Sequence, residues 1–264
     1  ACGTRDGWAE PAPPAHIHGQ TWYVGTCGIT VVLVDTGAGL VLIDTGPQEA
    51  VPHVLASIRA LGFDPKRIRW ILSTHEHFDH VGGLAAMQRE TGADVVTGPF
   101  IGDALRSGRP FPDDPQAAEL AEKPMEPVKV TRTLRDNGSV FTSDPRFTAH
   151  ATPTHSPGST SWSWRSCDQD GCKTIAFADS ISTISSEGYR FSDNPRRIKQ
   201  ARYGLKRIAA LPCDIMLTPH PSGSNLLERL SGREALVDAG ACKAYAESGM
   251  KRLDQRLDKE GTAK

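Results

Sequence analysis

The segment Thr74-His75-Glu76-His77-Phe78-Asp79-His80 carries three imidazoles and two carboxylates within seven residues. Imidazole nitrogen and carboxylate oxygen are the natural zinc donors when thiolate is absent. The segment follows the apolar run Arg69–Ser73 and precedes a helical pattern that starts at Val81. It therefore occupies the carboxyl end of a strand, where α/β folds place ligands. On extended backbone His75 and His77 project to one side, whereas Asp79 and His80 open the helical turn and point elsewhere. One short loop can thus serve two adjacent metals, yet it completes neither. A catalytic tetrahedral zinc takes three protein ligands and a water, so two further ligands must come from elsewhere in the chain.

Two histidines stand in matching settings. His155 lies in Thr152-Pro153-Thr154-His155-Ser156-Pro157-Gly158, after the strand-like FTAHAT, and His220 lies in Leu217-Thr218-Pro219-His220-Pro221, after DIMLT. A lone loop histidine is ordinarily a surface residue, but the His75–His80 segment needs partners, and these two are the candidates. Of the nine histidines, four are set aside. His16 and His18 sit in a Pro-rich arm with no Asp-His following, His53 has no partner one turn on, and His150 reads as strand packing.

The elements that must position these residues alternate. Strand patterns occur at Thr21–Val24, Ile29–Asp35, Leu40–Asp44, Arg69–Ser73, Asp94–Thr97, Val128–Leu134, Ser139–Thr142, Phe147–Thr152, Ser161–Ser166, Lys173–Ala178 and Asp214–Thr218. Helical patterns occur at Pro47–Leu61, Val81–Glu90, Arg196–Ala210 and Glu234–Lys259. Residues 1–20 read as an extended arm and 108–127 as a long surface loop rich in Pro and charge. The order predicts mixed sheets covered by helices, with one domain over residues 1–264 and a C-terminal helix over 235–259.

Composition bounds the function. The 264 residues carry 30 Lys and Arg against 31 Asp and Glu, a net charge of −1, which argues against a nucleic-acid binder. No window approaches the apolar length of a membrane span. The six cysteines, Cys2, Cys27, Cys167, Cys172, Cys213 and Cys242, suit disulfides in an oxidising compartment, with buried free thiols as the alternative. In CDQDGC an Asp-Gly turn would bring Cys167 and Cys172 face to face across a hairpin. A chain beginning at Ala1 fits a removed signal peptide and equally a chain trimmed otherwise.

With these residues in hand, the sequence resembles the metallo-β-lactamase superfamily. The resemblance rests on HEHFDH after a strand, Leu42-Ile43-Asp44-Thr45-Gly46 upstream, and the later strand-end histidines. Within that superfamily it is most similar to the third subclass of zinc β-lactamases, which has no cysteine ligand. TWYVGTCGI from Thr21, SWSWRSC from Ser161, FADSIS from Phe177 and TPHP from Thr218 carry that closer match. The resemblance implies a four-layer αβ/βα sandwich with the metal site at one sheet edge. It implies two zinc ions, the first on His75, His77 and His155, the second on Asp79, His80 and His220.

It further implies that Ser180 and Ser182 hold the substrate carboxylate, and that the cysteines pair as Cys2–Cys27, Cys167–Cys172 and Cys213–Cys242. The implied reaction is hydrolysis of a β-lactam amide by a zinc-bound hydroxide that Asp79 orients, conferring antibiotic resistance on its host. The expected partner is a small β-lactam, the expected state a monomer, and the expected location periplasmic or secreted. Thr154 and Ser159 depart from the family pattern, where Gly precedes the fifth ligand and His or Gly stands near the loop's end. A Cβ at Thr154 would restrict the loop if φ is positive there.

Two rivals remain. A glyoxalase-type thioesterase or lactonase of the same superfamily would present Asp179 to the metals, whereas a lactamase would turn Asp179 away and Ser180 toward the cleft. A non-catalytic zinc protein would close its site with four protein ligands, and two three-ligand sites argue against it.

Overall fold

A computed structural model describes residues 2–141 and 145–262. Eleven strands form two sheets among the described residues. The first is β1 (Ala15–His18), β2 (Thr21–Tyr23), β3 (Val32–Asp35), β4 (Leu40–Ile43), β5 (Ile68–Leu72), β6 (Asp94–Thr97) and β7 (Val130–Thr133), in that spatial order. The second holds β8 (Thr148–Ala151), β9 (Thr160–Asp168), β10 (Gly171–Phe177) and β11 (Ile215–Leu217), ordered β11-β10-β9-β8. Strands β4 to β7 run parallel, as do β10 and β11, and the remaining pairs are antiparallel.

The helices are α1 (Val51–Ala60), α2 (Phe78–Val81), α3 (Leu84–Thr91), α4 (Gly102–Ser107), α5 (Ala117–Ala121), α6 (Pro195–Ala209), α7 (Leu226–Leu230) and α8 (Ala241–Thr262). No helix among the described residues is long and apolar enough to cross a membrane.

The period of two in the strands explains the layering. In β4, Val41 and Ile43 face the second sheet and join Tyr23, Val32, Leu72, Trp162, Trp164 and Phe177, while Leu40 and Leu42 face α1 and α3 with Val54, Ile58, Leu84 and Met87. A third apolar cluster, including Ala176, Ala201, Leu205, Ile208, Met216, Ala246 and Leu253, lies between the second sheet and α6 and α8. Helix, sheet, sheet and helix are therefore separated by three apolar clusters, and the mixed four-layer sandwich stands.

Four expected boundaries shift for identifiable reasons. The extended arm ends in a real strand, because β1 pairs antiparallel with β2. The helix expected over Val81–Glu90 starts earlier and splits into α2 and α3 at Gly82-Gly83. There the chain passes so close to its neighbours that a Cβ on Gly82 would fall 2.3 Å from the Phe78 carbonyl oxygen. The C-terminal helix begins at Ala241 rather than near residue 235, since Asp238 Oδ1 accepts the Gly240 N–H at 2.8 Å and closes a turn ahead of it. Of the expected strand Ser139–Thr142, Ser139 makes only an isolated bridge to Thr148, and Thr142 lies outside the described residues.

All six cysteines pair as the resemblance implied: Cys2–Cys27, Cys167–Cys172 and Cys213–Cys242. They fasten the arm to the first sheet, close the β9–β10 hairpin, and anchor α8.

Candidate metal centre

The carboxyl ends of β5, β10 and β11 and the loop after β8 converge at one edge of the two sheets. Neighbouring backbone is locked across that edge: Thr160 N–H donates to the Thr74 carbonyl at 2.8 Å, and Trp162 Nε1–H donates to the Ser73 carbonyl at 2.9 Å. Asp44 adds a second lock. It is fully buried with φ +60°, and its carboxylate accepts from Thr74 N–H at 2.8 Å and from Thr74 Oγ1 at 2.7 Å. Left-handed backbone at a non-glycine residue costs about 1–3 kcal/mol and persists where the surroundings over-determine it.

The six expected ligands gather here. His75, His77 and His155 form one compact group, and His75, Asp79 and His80 a second, with the donor atoms of each group within 4.8 Å of one another. His75 thus takes part in both. His220 stands beside the second group, its Nε2 3.3 Å from Asp79 Oδ2 and its ring 4.8 Å from that of His80.

Each imidazole except His80 spends one nitrogen on an acceptor behind it. His75 Nδ1 pairs with Asp179 Oδ1 at 2.9 Å, His77 Nε2 with Asp114 Oδ2 at 2.9 Å, His155 Nδ1 with Ser182 Oγ at 2.9 Å, and His220 Nδ1 with the Gly28 carbonyl at 3.0 Å. The other nitrogen of each is left for the centre, and those of His77 and His155 already lie 3.0 Å apart. Such outer partners fix the ring and its tautomer at metal sites.

His80 is the telling case. It is fully buried, and neither ring nitrogen has a hydrogen-bond partner among the described residues. Its Nε2 lies 3.1 Å from Asp79 Oδ2 without hydrogen-bond geometry. An unsatisfied buried polar group costs about 1–3 kcal/mol, and a metal ion on one ring nitrogen would remove that cost at that atom.

Electrostatics point the same way. Burial, reinforced by the neighbouring histidines, holds His75 and His155 well below the usual imidazole range, so both stay neutral with lone pairs available. Burial pushes Asp79 upward, but the imidazoles of His80 and His220 outweigh it and hold the carboxyl well below its usual range. At these three residues neutral imidazoles and an ionised carboxylate are the protonation states a metal requires, whereas at His77 the Asp114 carboxylate outweighs burial and holds the imidazole above its usual range.

Glu76 faces away from the cluster. Its Oε2 accepts from Ser156 Oγ at 2.8 Å, tying the His75–His80 loop to the His155 loop. A Cβ on Gly158 would come within 2.4 Å of that oxygen, which explains the glycine. The family departures in this loop are accommodated. Thr154 is not among the non-glycine residues with positive φ, and its Oγ1 donates to the Ser180 carbonyl at 2.9 Å. Ser159 Oγ accepts the Ser156 N–H at 3.1 Å.

The expected surface loop 108–127 needs correction. It contains α5, and it delivers Asp114, a 2%-exposed residue, to His77. Gln116 follows, its side-chain nitrogen 3.3 Å from His77 Nδ1 and 3.4 Å from His155 Nε2. Asp114→Ala should weaken metal binding about 10- to 100-fold, the range for loss of such an outer partner. Competition with a chromophoric chelator measures this; unchanged affinity would show that Asp114 does not orient His77.

Above the ligands lies a cleft of about 300 Å³ lined by Trp8, Phe78, Ser180, Ser182 and Ile184 among others. Asp179 is fully buried behind His75, whereas Ser180 lines the cleft.

Comparisons with known proteins agree with this geometry. A family model described as the metallo-β-lactamase superfamily matches residues 24–168. The structure of a metallo-β-lactamase, MIM-1, from Novosphingobium pentaromativorans is 51% identical, covers 100% of this chain and 97% of that one, and superposes with a TM-score of 0.96. BJP-1, a subclass B3 metallo-β-lactamase of Bradyrhizobium japonicum, is 30% identical over 97% of each chain, with a TM-score of 0.87. A hydroxyacylglutathione hydrolase of Anaeromyxobacter dehalogenans (strain 2CP-C) is 31% identical over 79% of this chain and 66% of its own length, just under two thirds. A family match over more than half of the sequence, on the strands and loops that bear the first ligands, establishes that this chain belongs to the metallo-β-lactamase superfamily.

Proposed function

We propose that this chain hydrolyses the amide of a β-lactam ring with two zinc ions, held by His75, His77 and His155 and by Asp79, His80 and His220. The observation that carries the reading is the disposition of Asp179 and Ser180. Asp179 Oδ1 is committed to His75 Nδ1 at 2.9 Å, behind the ligand, and Ser180 lines the cleft. A thioesterase of the superfamily would need that carboxylate on the metal side. The subclass B3 enzymes to which the chain is similar support the same substrate class.

Zinc, when bound, supplies a Lewis acid for the lactam carbonyl and lowers the pKa of a water toward neutrality. The chain's own residues do the rest. Asp79, ionised, engages His80 and His220 through Oδ2, which leaves Oδ1 to accept a hydrogen bond from an attacking water and orient it. With His155 Nε2 turned to the centre, its Nδ1–H donates to Ser182 Oγ. The Ser182 hydroxyl proton is then free to donate to a substrate carboxylate, beside Ser180. Trp8, Phe78 and Ile184 give the cleft apolar walls that limit access of bulk water. Three disulfides support an oxidising location, periplasmic or secreted.

The test is turnover of a chromogenic cephalosporin beside turnover of lactoylglutathione by the same zinc-loaded preparation. Hydrolysis of the cephalosporin is expected; hydrolysis of the thioester alone would reverse the assignment.

A further inference from the structure

The anchor formed by Ser180 and Ser182 contains no positive charge. Two neutral hydroxyls hold a carboxylate more weakly than a charge-assisted pair does. The cleft supplies a cation from a different element. Helix α8 presents Tyr245, Ser248 and Arg252 to it, residues spaced three and four apart and so on one helical face. Tyr245 packs toward the backbone of Ile181, between the two serines, which places this face of α8 beside the anchor.

Arg252 is exposed, and it has no ion-pair or hydrogen-bond partner among the described residues. Its helical neighbours one turn away are Ser248, Gly249, Gln255 and Arg256, none of them acidic. Other arginines of this region are engaged: Arg256 pairs with Glu260 at 2.6 Å and Arg202 with Asp254 at 2.6 Å. Across the cleft, Lys123 lies over the Phe78 ring, 5.3 Å from its centroid. Among the described residues Asp79 is the only carboxylate lining the cleft, and it is committed to His80 and His220. Arg252 is therefore the one Lys or Arg side chain lining the cleft, and no acidic group among the described residues pairs with it.

We propose that Arg252 is a specificity-determining residue that binds the carboxylate of the β-lactam beside the Ser180 and Ser182 hydroxyls. The inference rests on the β-lactam reading above. A guanidinium offers a planar fork of donors matched to a carboxylate, and the α8 face is held in place by the Cys213–Cys242 bridge at its start. Because the group is exposed, its attraction is screened by salt. The contribution is to substrate binding, so it falls on KM more than on kcat.

The experiment compares one chromogenic cephalosporin as its free acid and as its methyl ester, using zinc-loaded wild type, Arg252→Gln and Arg252→Lys. In Arg252→Gln the preference for acid over ester in kcat/KM should fall about tenfold, mostly through KM for the acid. Arg252→Lys should keep most of the preference, and the rise of KM with ionic strength expected of wild type should flatten in Arg252→Gln. An Arg252→Gln preference within twofold of wild type, or an equal loss on acid and ester, would overturn the role of Arg252 while leaving the β-lactam reading intact. Wild type that turns over neither compound would remove that reading, and this inference with it.

Discussion

Asp79→Ala should lower kcat/KM for a β-lactam by about 1000-fold or more while leaving the fold intact. Asp79 is the one carboxylate in the second group, and it lies 3.1 Å from His80 of that group and 3.3 Å from His220 beside it. On the proposed reading its loss removes a metal ligand, the negative charge between two imidazoles, and the oxygen that orients water. Loss of an outer partner alone costs about 10- to 100-fold at metal sites, and a group acting both as ligand and in the reaction costs more. Asp79→Asn keeps the shape without the charge and should fall in between. Steady-state kinetics beside far-UV circular dichroism check this. Activity within tenfold of wild type, with zinc content unchanged, would remove Asp79 from the chemistry.

The second large effect is on stability. Trp162→Ala should destabilise the chain by about 3–5 kcal/mol, the usual cost of truncating a buried aromatic, and lower Tm by roughly 10 °C for a chain of this size. The indole is fully buried in the cluster between the two sheets, and its Nε1–H donates to the Ser73 carbonyl at 2.9 Å. Ser73 stands two residues ahead of His75, so the same side chain fills the core and fixes the backbone that launches the ligand loop. Trp162→Phe keeps most of the ring volume and loses the hydrogen bond, which should cost about 1–2 kcal/mol. Thermal unfolding monitored by calorimetry separates the two. Equal stability of Trp162→Ala and wild type would mean that the inter-sheet layer does not set the stability.

What could be read from the sequence follows the range of each signal. HEHFDH is a local pattern, so its alternation on a strand end exposes four candidate ligands at once. His155 and His220 are legible as candidates because a three-ligand site demands partners and few histidines sit at strand ends. The continuous apolar runs of β3 and β4 are also local, and their burial on both faces marks an inner sheet covered on each side. Asp114 had no such signal. One acid in Asp113-Asp114, within a Pro-rich charged stretch, looks solvated until the chain folds 37 residues back onto His77. Arg252 was equally silent, since its position at the cleft depends on how α8 packs. The missed boundaries share a cause: β1 exists only through its pairing with β2, and the start of α8 depends on a side-chain turn at Asp238.

Hydrolysis of a chromogenic cephalosporin by the purified chain before chelation, after dialysis against a chelator, and after return of zinc bears most directly on the claim that a metal centre built from five histidines and Asp79 opens β-lactams. Turnover should disappear with the metal and return with two equivalents of zinc per chain. Full turnover by the metal-free protein would contradict it.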